Sequence, residues 1–190
     1  MAFTVVYDAC VLYPVRLRDF LLRAGFTPQL NLRARTSATI LDELGSALVR
    51  TGAIPPDRWA PHRSQIEGAV EDFLVDGYDL LIDGISLPDA NDRHVVAAAI
   101  RCQAQGIVTF NLKDFPAATL DAFDIEAIHP DDFCVSLIEQ SAVACVELIH
   151  QQLSALVRPQ ISLDELTRRF ERMGLPLTAG RFRDELGLQP

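Results

Sequence analysis

Four acidic positions in this chain stand where a fold could gather them: Asp8, Glu43, Asp92 and Asp114. Asp8 directly follows the apolar run Phe3-Thr-Val-Val-Tyr7, and Glu43 lies in Ile40-Leu-Asp-Glu-Leu44. Asp92 opens Asp92-Arg-His-Val-Val-Ala-Ala-Ala-Ile100, and Asp114 sits in Val108-Thr-Phe-Asn-Leu-Lys-Asp-Phe-Pro116. Carboxylates brought together repel, so a cluster is costly unless a cation holds it. Hard oxygen ligands suit Mg²⁺ or Mn²⁺, ions that retain waters and accept phosphate oxygens. One or two such ions can activate water and offset charge during in-line attack on a phosphodiester. Each residue also has a plainer reading. Asp92, with Asp89, falls in a first helical turn, where acids complement the dipole. Glu43 could be an ordinary surface residue and competes with Asp42, and Asp114 could cap the next helix. Asp8 is the hardest to explain away.

The elements that must position these acids follow from periodicity. Residues 3–7 read as a buried strand, 15–25 as a helix stopped by Gly25, and 36–50 as a helix with Ile40, Leu41, Leu44 and Leu48 on one face. Pro55-Pro56 marks a turn, and 57–76 reads as an amphipathic helix. Residues 78–83 predict a strand, and Ser86-Leu-Pro-Asp89 enters a helix running through Gln105. Residues 107–110 and 125–128 predict two further strands. Strands separated by helical crossovers imply a parallel sheet with helices on both faces. In such sheets ligands bind beyond the carboxyl ends of the strands, which is where Asp8, Asn111 and Asp114 fall. From 131 onward the pattern is helical only: one long segment over 131–157 closed by Pro159, a helix opened by the capping box Ser162-Leu-Asp-Glu165, and a short one over 177–186. We therefore divide the chain into 1–130 and a helical extension over 131–190.

Composition narrows the class. The chain has 190 residues, 49% of them hydrophobic, and a net charge of −9, which argues against a coat of positive charge for general nucleic-acid binding. It leaves a carboxylate nuclease open, because bound metal cancels such charge locally. Lys113 is the sole lysine, and Arg16, Arg18, Arg23, Arg33 and Arg35 cluster with one acid, Asp19, among them. Such a cluster can hold phosphates, or form a solvated face or a protein contact. Cys10, Cys102, Cys134 and Cys145 show no metal or CxxC spacing, which points to reduced thiols and a cytoplasmic protein. The opening residues are unlike a signal peptide, and no membrane partner is expected.

The order and context of the acids resemble the PIN-domain ribonucleases, many of which are VapC-type toxins of bacterial toxin–antitoxin pairs. The resemblance covers residues 3–130 and is most specific at Leu87-Pro-Asp-Ala-Asn-Asp-Arg-His-Val95 and 108–116. It implies an α/β/α sandwich with a central parallel sheet, Mg²⁺ or Mn²⁺, endonucleolytic cleavage of RNA, and a cognate antitoxin that blocks the site. A homodimer fits the same picture. By this resemblance Asp8, Glu43, Asp92 and Asp114 form the acidic quartet, with Asp8, Asp92 and Asp114 on the metal and Glu43 on the metal or the attacking water. Asn111 and Asp89 are auxiliary, and the arginines of 16–35 guide the RNA backbone. The segment Arg172-Met-Gly-Leu-Pro176 is similar to the helical extension of one toxin subgroup. One departure stands out: relatives often carry Asp-x-Asn at the first acid, and here Cys10 occupies the asparagine position. A thiol is a poorer hydrogen-bonding group than an amide, and a buried small hydrophobe is its plain reading. His94 is expected to pack or cap beside Asp92. Glu147-Leu-Ile-His150 has di-iron ligand spacing but no second copy, and reads as a solvated helix face. The rival to a nuclease is a non-catalytic PIN-like module binding RNA or protein. A structure-specific DNA nuclease ranks below both.

Overall fold

A computed structural model describes residues 2–156 and 161–188. The predicted closure of a helix at Val157 and Pro159 lies outside the described residues. The chain runs β1 (Phe3–Tyr7), α1 (Ala9–Leu12), α2 (Val15–Gly25), β2 (Leu32–Arg35), α3 (Ala38–Arg50), α4 (Trp59–Glu67), α5 (Asp79–Ile82) and α6 (Arg93–Arg101). It continues with β3 (Gly106–Val108), α7 (Ala117–Leu120), β4 (Glu126–Ile128), α8 (Pro130–Gln140), α9 (Ala142–Ser154), α10 (Leu163–Arg172) and α11 (Pro176–Glu185). The four strands form one parallel sheet in the order β2-β1-β3-β4. Consecutive residues Val5, Val6 and Tyr7 are all fully buried, as are Ile107 and Val108. Neighbouring strand residues point to opposite faces, so both faces of the sheet are covered, and the fold is a PIN-like α/β/α sandwich with helices appended.

Topology places the site. From β1 the chain first crosses to β2 on one side, and later returns to β3 on the other. The carboxyl ends of β1 and β3 therefore flank the switch point of the sheet, where adjacent loops part and leave a crevice. The ladder runs right to that edge, since the amide of Asp8 donates to the Val108 carbonyl at 3.2 Å.

Four expectations are corrected. The helix predicted over 57–76 stops at Glu67, and the following segment instead forms a parallel bridge between Thr36 and Leu74. Residues 78–83 are a short helical turn, not a strand. Gly77 takes a left-handed φ of 71° that turns the chain, the Tyr78 hydroxyl is held by Thr39, and Leu80 is fully exposed. Strand β2 is additional to the predicted strands; its alternation of buried Leu32 and Ala34 with Arg33 and Arg35 is the period of two that a half-buried strand shows. Within 131–157 there are two helices, bent by 115° at Ser141, whose hydroxyl caps α9 by accepting from the Ala144 amide.

The C-terminal helices share the core of the sandwich. Phe20 of α2 meets Phe170 of α10 and Phe182 of α11 edge-on, at ring separations of 6.0 and 5.6 Å. Gln152 of α9 donates to the Arg16 carbonyl at 2.6 Å. Among the described residues no single helix is long and apolar enough to cross a membrane.

Candidate active site

Asp8 is held from three directions. It is nearly buried, ends β1 and caps α1, with its Oδ1 accepting from the Ala9 amide at 2.6 Å. Its Oδ2 accepts from the Thr109 hydroxyl at 2.7 Å and from the Cys10 thiol at 3.0 Å. Thr109 follows β3, the strand beside β1, and its hydroxyl also accepts from the Asn111 amide at 3.0 Å. Cys10 receives the Phe110 amide on its sulfur at 3.3 Å. Burial first, and then the charge of Asp8, push this thiol up to about 12, so it remains a protonated donor. Its reading as a plain hydrophobe is thus corrected: Cys10 is half-buried and hydrogen-bonds the first acid. Thr109 gained no role from the sequence, although a hydroxyl immediately after the neighbouring strand was a readable signal.

Asp92 feels the charge of the other acids. It closes a single 3₁₀ turn, Ala90–Asp92, capped by Asp89, whose carboxylate accepts from the Asn91 amide at 2.9 Å. Its carboxyl is pushed up from 3.8 to about 6, chiefly by burial and then by the charges of Asp8, Asp89, Asp114 and Glu43. The charges of these four carboxylates all disfavour ionisation of Asp92. Asp92 Oδ2 is buried without a hydrogen-bond partner. Asp114 ends the 3₁₀ turn Leu112–Asp114 and accepts from the Asn111 side-chain amide.

Glu43 and Asp42 separate cleanly. Asp42 forms an ion pair with Arg63 of α4. Glu43 lies one position on, and its Oε1 meets His94 Nε2 of α6 at 2.9 Å. Gly45 lets α4 come this close, since a Cβ there would stand 2.2 Å from the Trp59 ring. His94 therefore pairs with Glu43 instead of capping beside Asp92, and its Nδ1 is buried without a partner.

Among the described residues, no three His, Cys, Asp or Glu side chains converge closely enough to hold a metal ion. What fits a divalent cation is the chemistry of the donors: oxygen ligands that repel one another, one of them with a buried, unpartnered atom. The arginines do not form one patch. Arg18 is buried and donates to the Leu12 and Tyr13 carbonyls, so its guanidinium braces α1 against α2. Arg23 pairs with Asp19, Arg35 with Asp72, and Arg16 lies partly buried beside the C-terminal helices. Arg33 alone of the five is exposed, on the edge strand β2. Glu147 and His150 are both exposed on α9.

Residues 130–184 match the family model described as VapC50 C-terminal domain. Over 101 residues the chain is 34% identical to the "Putative ribonuclease VapC50" of Mycobacterium tuberculosis (strain ATCC 25618 / H37Rv). That similarity covers 53% of this chain and 59% of the relative's own length. No solved structure matches. The two matches support the resemblance to VapC-type PIN ribonucleases.

Proposed function

We propose that this VapC-like chain is a Mg²⁺- or Mn²⁺-dependent endoribonuclease, the toxin of a type II toxin–antitoxin pair. It hydrolyses RNA phosphodiester bonds in the cytoplasm, and its partners are RNA, a cognate antitoxin and a second copy of the chain. The observation that carries this reading is Asp92, which has a buried oxygen without a partner and whose ionisation is opposed by burial and by the charges of four other carboxylates. A divalent ion among these acids would offset charge on the phosphoryl oxygens and make water a better nucleophile. Asp8, Asp92 and Asp114 would hold it. Thr109 and Cys10 fix the Asp8 carboxylate by hydrogen bonds to Oδ2, and Oδ1, which accepts from the Ala9 amide, has a further lone pair to offer. Asn111 does the same for Asp114. Glu43, steadied by His94, positions the attacking water and takes up its proton.

The relative's name supports a ribonuclease, and the cation and the assignment of roles rest on the donor chemistry. Cleavage of RNA by wild type and Asp92→Asn in Mg²⁺ or Mn²⁺ tests them together. The variant should lose roughly 100-fold or more in rate, at or beyond the upper end of what supporting residues of metal sites contribute. Equal rates would contradict the assignment. A non-catalytic binding module is the second reading, favoured by the lack of a converged three-ligand group among the described residues. It predicts no RNA cleavage under any cation.

A further inference from the structure

A recess of about 550 Å³ opens beside the acid cluster, between α1 and α3. Of the four acids Glu43 stands in its wall, beside Cys10, whose thiol donates to Asp8. Ala9, Leu44 and Ala47 supply apolar surface, Tyr13 an aromatic ring, and Arg50 a guanidinium. The Tyr13 hydroxyl is tied to Thr51 at 2.9 Å, which fixes the ring in place. Glu43, Ala47 and Arg50 follow one another at helical spacing along a single face of α3. Two turns separate the first from the last, about 10 Å along the axis. Arg50 is exposed at the end of α3 and has no ion pair or hydrogen bond among the described residues. The other two charged lining residues are acids with partners of their own, Asp42 paired with Arg63 and Glu43 with His94.

We propose that this recess is a nucleotide subsite: it takes the base next to the scissile phosphate, with the following phosphate on Arg50. The proposal rests on the ribonuclease reading for its role in cleavage. Proteins read single-stranded RNA by stacking splayed bases on aromatic side chains and pairing the backbone with cations. The recess places those two elements in sequence, starting from the acid cluster. An apolar floor excludes water from the base, and an unpaired guanidinium suits a phosphate bidentately. RNA is favoured over a protein segment as occupant because the recess begins at Glu43 and ends at an unpaired guanidinium, matching the alternation of phosphate, base and phosphate.

The test titrates 5′-nucleoside monophosphates, with ribose 5-phosphate as the baseless control, into metal-free wild type, followed by NMR. Shifts should map to α1 and α3 around Tyr13, Ala47 and Arg50, and ribose 5-phosphate should bind at least about tenfold more weakly. Ala47→Phe, which fills the recess from the helix surface, and Arg50→Ala should each weaken nucleotide binding by roughly tenfold. Tyr13→Phe keeps the ring and should retain binding, while Tyr13→Leu should not. Equal binding of ribose 5-phosphate, shifts elsewhere, or an Ala47→Phe variant that binds like wild type would each overturn the subsite. So would an Ala47→Phe protein whose NMR spectrum stays folded and whose RNA-cleavage preference is unchanged. Wild-type cleavage of RNA with Mn²⁺ is scored separately, so loss of the ribonuclease reading and loss of the subsite are distinct results.

Discussion

Two aspartates, Asp131 in the helical extension and Asp92 in the acid cluster, meet the same difficulty in opposite ways. Asp131 is 4% exposed, and three donors satisfy it: the amides of Leu177 and Thr178 and the Thr178 hydroxyl, at 3.0, 2.7 and 2.6 Å. It ties α8 to the first turn of α11, where the negative charge also meets the positive end of the helix. Asp92 has like charges around it and one oxygen with no donor at all. A buried acid that is fully paired holds a fold together. One that is crowded and under-paired lowers stability, and the natural compensation is a ligand of opposite charge. If the acids around Asp92 are the proposed cation site, stability and function are separated within the chain, and mutations at the two sites should move them in different directions.

The largest effect is expected at Asp131. Asp131→Ala leaves buried donors without a partner and removes a cap, which should cost roughly 2–4 kcal/mol in denaturant unfolding. Thr109→Val comes next: it strips Asp8 of a buried charge-assisted bond and should cost about 2 kcal/mol while weakening cleavage. Asp92→Asn should run the other way, raising stability without metal by about 1 kcal/mol at pH 7, a figure reduced for the solvent screening of a half-exposed group. The pH dependence has the same origin. The folded chain holds the Asp92 proton up to about 6, against 3.8 for an ordinary carboxyl, so this stabilisation is full below 3.8 and lost as pH rises through 6. Metal-free wild type should therefore lose stability across that window, and Asp92→Asn should not show this component. The smallest effect is expected at Cys10. Cys10→Ala removes one weak donor and should cost under about 1 kcal/mol, whereas Cys10→Asn supplies a stronger donor and should maintain cleavage. A stability loss in Asp92→Asn equal to that in Asp131→Ala would erase the contrast.

Much of the fold could be read directly. Strands β1 and β3 are short continuous apolar runs, and the acids after them fall at the sheet's switch point by connectivity alone. Strand β2 was harder, because two arginines in four residues obscure the alternation of Leu32 and Ala34. The turn at 79–82 resembles a strand because its apolar residues are contiguous, yet Leu80 is exposed while Leu81 and Ile82 pack only partly buried against the core. Pairing decided what local pattern could not. Asp42 and Glu43 are adjacent and alike, and they differ only because Arg63 and His94 approach from distant parts of the chain. The same holds for the arginines of 16–35, which form a cluster in sequence but point to separate partners in space. Cys10 could be compared with asparagine from its position, but its bonds to Asp8 and Phe110 needed β1 and β3 side by side.

Calorimetric titration of Mn²⁺ into wild type, Asp92→Asn and Asp131→Asn at pH 7.5 tests the central claim most directly. If the acids around Asp92 form the cation site, wild type and folded Asp131→Asn should bind with similar affinity, and Asp92→Asn at least about tenfold more weakly. Equal Mn²⁺ affinity in wild type and Asp92→Asn, or no binding by wild type, would contradict it.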